Sequence, residues 1–122
     1  MDHDELTAYC LAKPGAWMDE PWEGHPVAKV DEKIFVFLGQ DSVGVKAGND
    51  RDQADEWLVR FPDDAQVMAY IGRSGWNDLA MGGTISGETI LDAIDESYHL
   101  VVSKLPKKKR PDGWDAVTTS SN

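Results

Sequence analysis

The sequence predicts a single α+β domain with an antiparallel sheet in the order α-β(3-4)-α-β(2)-α and helices mainly on one face. Three observations lead to this class. Apolar residues recur at helical spacing in three segments, short β-rich runs lie between them, and turn residues separate those runs. A chain of 122 residues corresponds to one domain, and 41% apolar residues can form a core. We therefore expect one domain over residues 1–106, followed by a C-terminal tail.

Three segments show the periodicity of amphipathic helices. In the second, the apolar positions fall at i, i+3, i+4 and i+7 and form one core-facing stripe: Ala54, Trp57, Leu58 and Phe61. Capping residues and prolines limit the helices. They are predicted to run from the Asp2/Glu5 capping box to Pro14, from Asn49 or Asp50 to Pro62, and from Ser86 to about Leu105.

Short runs rich in β-branched and aromatic residues lie between the helices and are typical of strands. Pro21 cannot donate a ladder hydrogen bond, so its strand belongs at a sheet edge or a bulge. Gly72-Arg73-Ser74-Gly75 has the composition of a hairpin loop between the last two strands. The predicted extended segments are Trp17 to Trp22, Val27 to Val30, Ile34 to Leu38, Val43 to Ala47, Val67 to Tyr70 and Trp76 to Met81.

The charge balance limits the classes of partner. The chain has 12 Lys and Arg against 22 Asp and Glu, a formal net charge of −10. Because like charge repels phosphate at long range, general coating of nucleic acid is excluded and only a local basic face could bind DNA. Four of the 12 cations follow the third predicted helix as one run: Lys107, Lys108, Lys109 and Arg110.

This basic run has three interpretations. Positive charge after a helix C-terminus is favoured by the helix dipole by a few tenths to about 1 kcal/mol, so the run can serve only to end the helix. It can instead contact phosphate groups, or bind an acidic protein partner or a second copy of the chain. The polar residues beyond it, 111–122, are expected to form a mobile tail in which Trp114 docks locally.

The compartment follows from cysteine usage and hydropathy. A lone cysteine, Cys10, excludes an intrachain disulfide framework and favours a reducing compartment. Residues 1–5 lack the positive and apolar regions of a signal peptide. The longest apolar run, Ile34 to Leu38, is far shorter than the ~20 residues that cross a bilayer. We expect a cytoplasmic protein without a membrane span.

Several short strings follow one another at characteristic spacing: Pro21-Trp22, His25-Pro26-Val27, Lys29-Val30, Lys33-Ile34-Phe35, Trp76, Ser97-Tyr98 and Leu105-Pro106-Lys107-Lys108. By their order over roughly residues 3 to 110, the chain resembles the MmcQ/YjbR family. The resemblance implies a CyaY-like α+β fold, which agrees with the predicted element order. It also implies a mostly bacterial, cytoplasmic occurrence.

Members of that family are often labelled DNA-binding, with two β-hairpins acting as paired wings. On this chain the resemblance implies wings at the loops Asp31 to Lys33 and Gly72 to Gly75. We therefore expect a non-enzymatic module that contacts DNA through these loops and the basic run. The candidate contact residues are Lys29, Lys33, Lys46, Arg73, Lys107, Lys108, Lys109 and Arg110.

Two other functions remain open. The first is a protein-interaction or regulatory adaptor that uses an acidic face and has no role with nucleic acid. The second is weak divalent-metal binding on an acidic surface, by analogy with the CyaY-like frataxins, which bind iron on an acidic ridge. The acidic groups concerned are Asp19, Glu20 and Glu23, with Asp2, Asp4 and Glu5.

No catalytic, cofactor or structural-metal signature is present in the sequence. His3 and His99 lack a His or Cys partner at zinc-site spacing. Ser74 lies in a turn that is neither a nucleophile elbow nor a phosphate loop. Cys10 falls on the apolar face of the first helix, so we expect it to be buried and inert.

Most of the remaining aromatic and imidazole groups have two interpretations. His25 is expected to hydrogen-bond a turn backbone and pack on an indole, with anion binding or proton relay as the alternative. Trp57 is predicted to be structural. Trp17, Trp22 and Trp76 are consistent with packing or with stacking on the bases of single-stranded nucleic acid.

Overall fold

The computed structural model describes residues 1–116 and consists of three helices packed on a six-stranded antiparallel sheet. The helices are α1 (His3–Leu11), α2 (Arg51–Arg60) and α3 (Gly87–Val102). The strands are β1 (Ala16–Trp22), β2 (His25–Val30), β3 (Lys33–Leu38), β4 (Ser42–Lys46), β5 (Ala65–Val67) and β6 (Trp76–Ala80), in the sheet order β1-β2-β3-β4-β6-β5. The predicted fold class is confirmed.

The helices begin where the capping residues predict. The Asp2 carboxylate accepts a hydrogen bond from Glu5 N at 2.8 Å, and Asp2 N donates to the Glu5 carboxylate at 3.4 Å. Asp50, one of the two predicted caps of α2, accepts a backbone N–H of the first turn, and the Ser86 hydroxyl does the same for α3. These caps satisfy donors that a first helical turn leaves without an intrahelical partner.

The core lies between the sheet and the face of α1 and α3 that is packed on it. Leu6, Cys10, Ile94 and Tyr98 are all 0% exposed. The Tyr98 ring meets Phe35 of β3 edge to face, with 5.3 Å between ring centroids. Burial of these side chains is the main stabilising contribution, at ~1.5–3 kcal/mol for each large apolar group. It fixes α3 across the middle of the sheet.

Ser97 joins α3 to the two central strands. Its hydroxyl accepts from Lys46 N at 2.9 Å and donates to Phe35 O at 2.6 Å. These two backbone groups lie just beyond the last regular β3–β4 pair, Val36 with Val45. The hydroxyl therefore takes the place of a ladder hydrogen bond at the point where the strands separate.

A buried ion pair joins α3 to the segment after α1. Lys13 Nζ lies 2.5 Å from Asp95 Oδ1, and each side chain is 6% exposed. Tyr9 OH donates to the same carboxylate oxygen at 2.7 Å. The Lys13 ammonium also lies over the Tyr9 ring, 4.5 Å from its centroid. Lys13 carries no recognisable sequence signal for this role.

The second hairpin differs from the prediction in the position of its first strand. β5 pairs with β6 as expected, but it spans Ala65–Val67 rather than Val67 to Tyr70. Met68 N still donates to Trp76 O at 3.2 Å while its side chain packs onto Gly44, and the chain then turns away at Tyr70, which has a positive φ of 65°. A 3-10 turn at Gly72–Ser74 then leads into β6.

The chain after α3 packs against the domain through residue 116. Two short 3-10 turns, Lys107–Lys109 and Trp114–Ala116, follow Pro106. Trp114 packs against the core and lies 5.8 Å from the His99 ring, so its predicted local docking is confirmed. Residues 117–122, the end of the predicted mobile tail, lie outside the described residues.

No helix within residues 1–116 combines the length and the apolar character that crossing a bilayer requires.

Candidate functional site

One end of the sheet collects most of the predicted basic residues. Here the β2–β3 turn, the end of β4, the loop before β6 and the end of α3 meet. A groove of about 340 Å³ lies between these elements, and Lys33, Lys46 and Lys104 line it beside Trp76 and Leu105. We call this region, together with the run Lys107–Lys109 and Arg73, the basic end.

The C-terminal run lies against the first predicted wing. Lys109 Nζ is 3.8 Å from Asp31 Oδ2 at the tip of the β2–β3 turn, and both side chains are at least one third exposed. An exposed pair of this kind contributes ~0–1 kcal/mol. Its value is positional, because it shows that the run and the turn share one side of the molecule. Asp31 and Glu32 also place negative charge at this tip.

The second wing is held by two buried or half-buried cations. Arg51 of α2 donates to Gly72 O at 2.6 Å and to Trp76 O at 3.2 Å. Lys46 Nζ donates to Ser74 O at 2.6 Å, and its residue is 8% exposed. Burial, with a smaller effect of Lys104, lowers the pKa of Lys46. The structure therefore places Lys46 at the base of the loop as a support, with Arg73 exposed on the loop.

Two other predicted contact residues are engaged elsewhere. Lys29 pairs with Asp19 at 2.7 Å and lies over the Trp17 ring at 5.2 Å, which offsets its charge locally. Arg110 donates to Leu105 O at 2.9 Å and to Ser103 O at 2.8 Å. It therefore satisfies carbonyls at the C-terminal end of α3, as the helix-ending interpretation of the basic run requires.

The basic end nevertheless retains a group of exposed cations. Lys104, which the sequence analysis did not single out, joins the predicted residues there. Its position two residues before Pro106, close to the basic run in sequence, could have indicated that it belongs to the same group. The exposed members are Lys33, Arg73, Lys104, Lys107, Lys108 and Lys109. Together they form a positive surface that suits polyanionic ligands.

Several of the residues considered for catalysis or metal binding are buried or take part in hydrogen bonds and ion pairs within the domain. Cys10 is buried as predicted, and burial raises the pKa of its thiol to about 12. The His3 ring nitrogen Nδ1 lies 2.8 Å from Gly39 O. Asp19 belongs to the ion pair with Lys29. Within residues 1–116, no group of three or more His, Cys, Asp or Glu side chains is arranged to hold a metal ion.

A second concave region lies on the sheet face that carries no helix. It is a cleft of about 670 Å³ whose lining is almost entirely apolar. Six residues define this aromatic cleft: Trp22, His25, Phe37, Met68, Tyr70 and Ile71. His25 lies in β2 as the pairing partner of Trp22 rather than inside a turn, and its packing on an indole and its hydrogen bond to a turn backbone stay predictions. From the sequence, Trp22 was consistent with packing or with base stacking, and Met68 and Tyr70 carried no signal of a site.

An acidic group adjoins the aromatic cleft. A smaller hollow of about 240 Å³ shares His25, Phe37 and Met68 with it and is also lined by Ser42 and Asp78. Asp78 is half-buried, and this burial raises the pKa of its carboxyl, while a hydrogen bond from Ser42 acts in the opposite direction. The Asp78 carboxyl therefore lines an open hollow next to the aromatic side chains of the cleft.

Fold and surfaces together define a class of small α+β domain in which helices cover one face of an antiparallel sheet and a basic end terminates it. The YjbR family model matches residues 11–100. The chain belongs to the YjbR family, as the resemblance in its sequence implied.

Individual relatives agree with this assignment. The chain is 26% identical over 116 residues to the "Uncharacterized protein YjbR" of Escherichia coli K12, covering 90% of this chain and 95% of that protein. The corresponding protein of Escherichia coli O157:H7 matches equally. The crystal structure of Deinococcus radiodurans protein DR2400, a DUF419 domain, superposes with a TM-score of 0.77 at 21% identity, over 88% of this chain and 83% of that one. This last similarity shows the fold.

Proposed function

We propose that this chain is a non-enzymatic binding module that binds duplex DNA through the basic end. The observation that supports the proposal is the convergence of the two wing loops and the C-terminal run. Lys109 contacts the first loop at Asp31, and Lys46 supports the second loop at Ser74. Six exposed cations, those named above, therefore lie on one side of a chain that is acidic as a whole.

The net charge of −10 does not prevent such binding at physiological salt. The Debye length is then ~8 Å, so acidic groups on the remote parts of the domain are largely screened from a bound phosphate. If each of the six cations neutralised one phosphate, log K would fall against log salt with a slope of about −5. Asp31 and Glu32 reduce the effective number, so this slope is an upper limit.

The test is fluorescence anisotropy of a labelled 20-base-pair duplex across a salt series. The informative variant changes Lys107 and Lys108 to Gln, and the matched control changes the exposed Arg60 of α2, which lies outside the basic end, to Gln. The double variant should bind ~10-fold more weakly and lower the magnitude of the salt slope by about 2, whereas the control should match the wild type. Absence of binding at 50 mM salt, or equal binding by all three proteins, would refute the proposal.

We propose the bacterial cytoplasm as the compartment. The relatives come from Escherichia coli and Deinococcus radiodurans, and the thiol of Cys10 is free and buried. The adaptor and metal-binding alternatives stay predictions. The metal alternative has little support in the described residues, because Asp19 is paired with Lys29 and the acidic groups form no three-ligand cluster there.

A further inference from the structure

The aromatic cleft exposes far more apolar surface than the fold requires. Tyr70 is 101% exposed and Trp22 is 56% exposed. Contiguous apolar patches on a protein surface commonly mark a binding site, because leaving them in water has a cost that only a partner removes.

Tyr70 supports a binding role in a second way. Its φ of 65° lies in the left-handed region, which a bulky L-residue adopts only at a conformational cost. The ring obtains no burial in return, since it is fully exposed. A residue held in an unfavourable backbone conformation without any packing gain points to a contact with another molecule.

The loop that carries Tyr70 is anchored on the sheet. A Cβ on Gly44 would lie 2.7 Å from Met68 Sδ, so the absence of a side chain at Gly44 is what lets Met68 pack on β4. Arg51 fixes the other end of the loop through Gly72 O. The aromatic wall is therefore organised before any ligand arrives, which lowers the entropic cost of binding.

The surroundings of the cleft are acidic. Asp78 lies on the floor of the adjoining hollow. The Glu20 carboxylate accepts from Gly24 N at 3.3 Å at the rim of the same hollow, and Glu23 precedes Gly24. No Lys or Arg belongs to the described lining of either cavity. Charge complementarity therefore disfavours a nucleic acid and favours a cation.

The openness of the site indicates what kind of cation fits. Small molecules usually bind in cavities that bury 70–90% of their surface. Here the Trp22 and Tyr70 walls are themselves more than half exposed. A segment of polypeptide suits such a surface better, because one apolar side chain can fill the cleft while a neighbouring Lys or Arg meets the carboxylates or the face of an aromatic ring.

We propose that the aromatic cleft binds a basic segment of a partner protein, with an apolar side chain between Trp22 and Tyr70 and a Lys or Arg directed at Asp78. The residues that line this cleft differ from those that line the basic groove, although Arg73 of the basic end lies on the same loop as Tyr70. DNA binding and peptide binding can therefore succeed or fail independently, and variants of one should leave the other unchanged.

The test uses a panel of fluorescein-labelled dodecapeptides that vary independently in Lys content and in Leu and Trp content. Anisotropy is read for the wild type, Tyr70→Gly, Asp78→Asn and the control Val59→Ser, which removes an 82% exposed apolar side chain from α2. Because glycine readily adopts a positive φ and the Tyr70 ring is fully exposed, Tyr70→Gly should keep the fold of the domain. Amide chemical shifts in 15N spectra locate the bound peptide.

We expect peptides with both Lys and Leu or Trp to bind below ~1 mM Kd and to shift the amides of Trp22, His25 and Tyr70. Tyr70→Gly should weaken binding at least 10-fold, Asp78→Asn about 3- to 10-fold, and Val59→Ser not at all. The proposal is overturned if no peptide binds below 1 mM, if Glu-rich peptides bind equally, or if a single-stranded oligothymidine occupies the cleft instead.

Discussion

The buried pair between Lys13 and Asp95 allows a quantitative prediction about stability. Both side chains are 6% exposed and lie 2.5 Å apart, and Tyr9 shares the carboxylate. Changing Asp95 to Ala removes one charge and leaves the Lys13 ammonium buried without its counter-ion. Changing both residues, with Lys13→Met and Asp95→Leu, removes both charges and fills the space with apolar groups.

The two changes should differ greatly in magnitude. Breaking one partner of a buried ion pair costs ~3–5 kcal/mol, whereas replacing the whole pair by apolar residues of similar volume is often neutral or stabilising. For a domain of this size, with ~5–15 kcal/mol of total stability, the single variant should lose a large fraction of its free energy of unfolding. Its Tm should fall by roughly 10–20 °C.

The assay is urea denaturation followed by circular dichroism, with thermal melting as a second measure. The exposed Glu96 on the same helix supplies a control, since Glu96→Ala should change stability by no more than about 0.5 kcal/mol. If Asp95→Ala were as stable as Glu96→Ala, or if the double variant were less stable than the single one, Asp95 would not be compensating the buried charge of Lys13 and the reasoning would be wrong.

Four further outcomes are expected. Ser97→Ala should cost ~1–3 kcal/mol in urea denaturation, because two buried backbone groups lose their shared partner. Gly75→Ala should lower the Tm, because its φ of 99° strains an L-residue and its Cβ would clash with Gly48 O. Arg110→Ala should cost about 1 kcal/mol in the same melts yet leave DNA affinity unchanged in anisotropy titrations, since its guanidinium binds helix-end carbonyls. Wild-type stability should fall as the pH rises from 9 toward 12, because the thiol of Cys10 ionises near 9 in the unfolded chain and near 12 in the folded one; a Cys10→Ala variant should show a shallower decline.

Local signals in the sequence were sufficient for much of the fold. Capping at Asp2, Asp50 and Ser86 depends on neighbouring residues alone, so a sequence contains the information that places these helix starts. Pro21 likewise predicted an edge strand, because proline lacks the donor that a central strand needs. The order of the elements followed from these boundaries and from the apolar periodicity.

Positions that depend on contacts between distant segments could not be predicted in the same way. β5 spans Ala65–Val67 rather than Val67 to Tyr70, and Met68, just after it, packs on Gly44 of β4, a contact between segments remote in sequence. Lys46 was predicted to contact DNA, yet folding places its ammonium on the Ser74 carbonyl. The sequence did not indicate a role for Tyr70, because neither its positive φ nor its full exposure can be recognised from the neighbouring residues.

The sheet ends in two strands that are poor templates for another chain. β1 contains Pro21 and an irregular register between Asp19 and Trp22, and β5 is three residues long. Unpaired backbone groups could otherwise bind a strand of another molecule. At the β1 edge their row is interrupted, and at the β5 edge there are few of them. The protein can therefore expose the aromatic cleft without polymerising through its sheet, because fibril growth needs a long, uninterrupted edge strand.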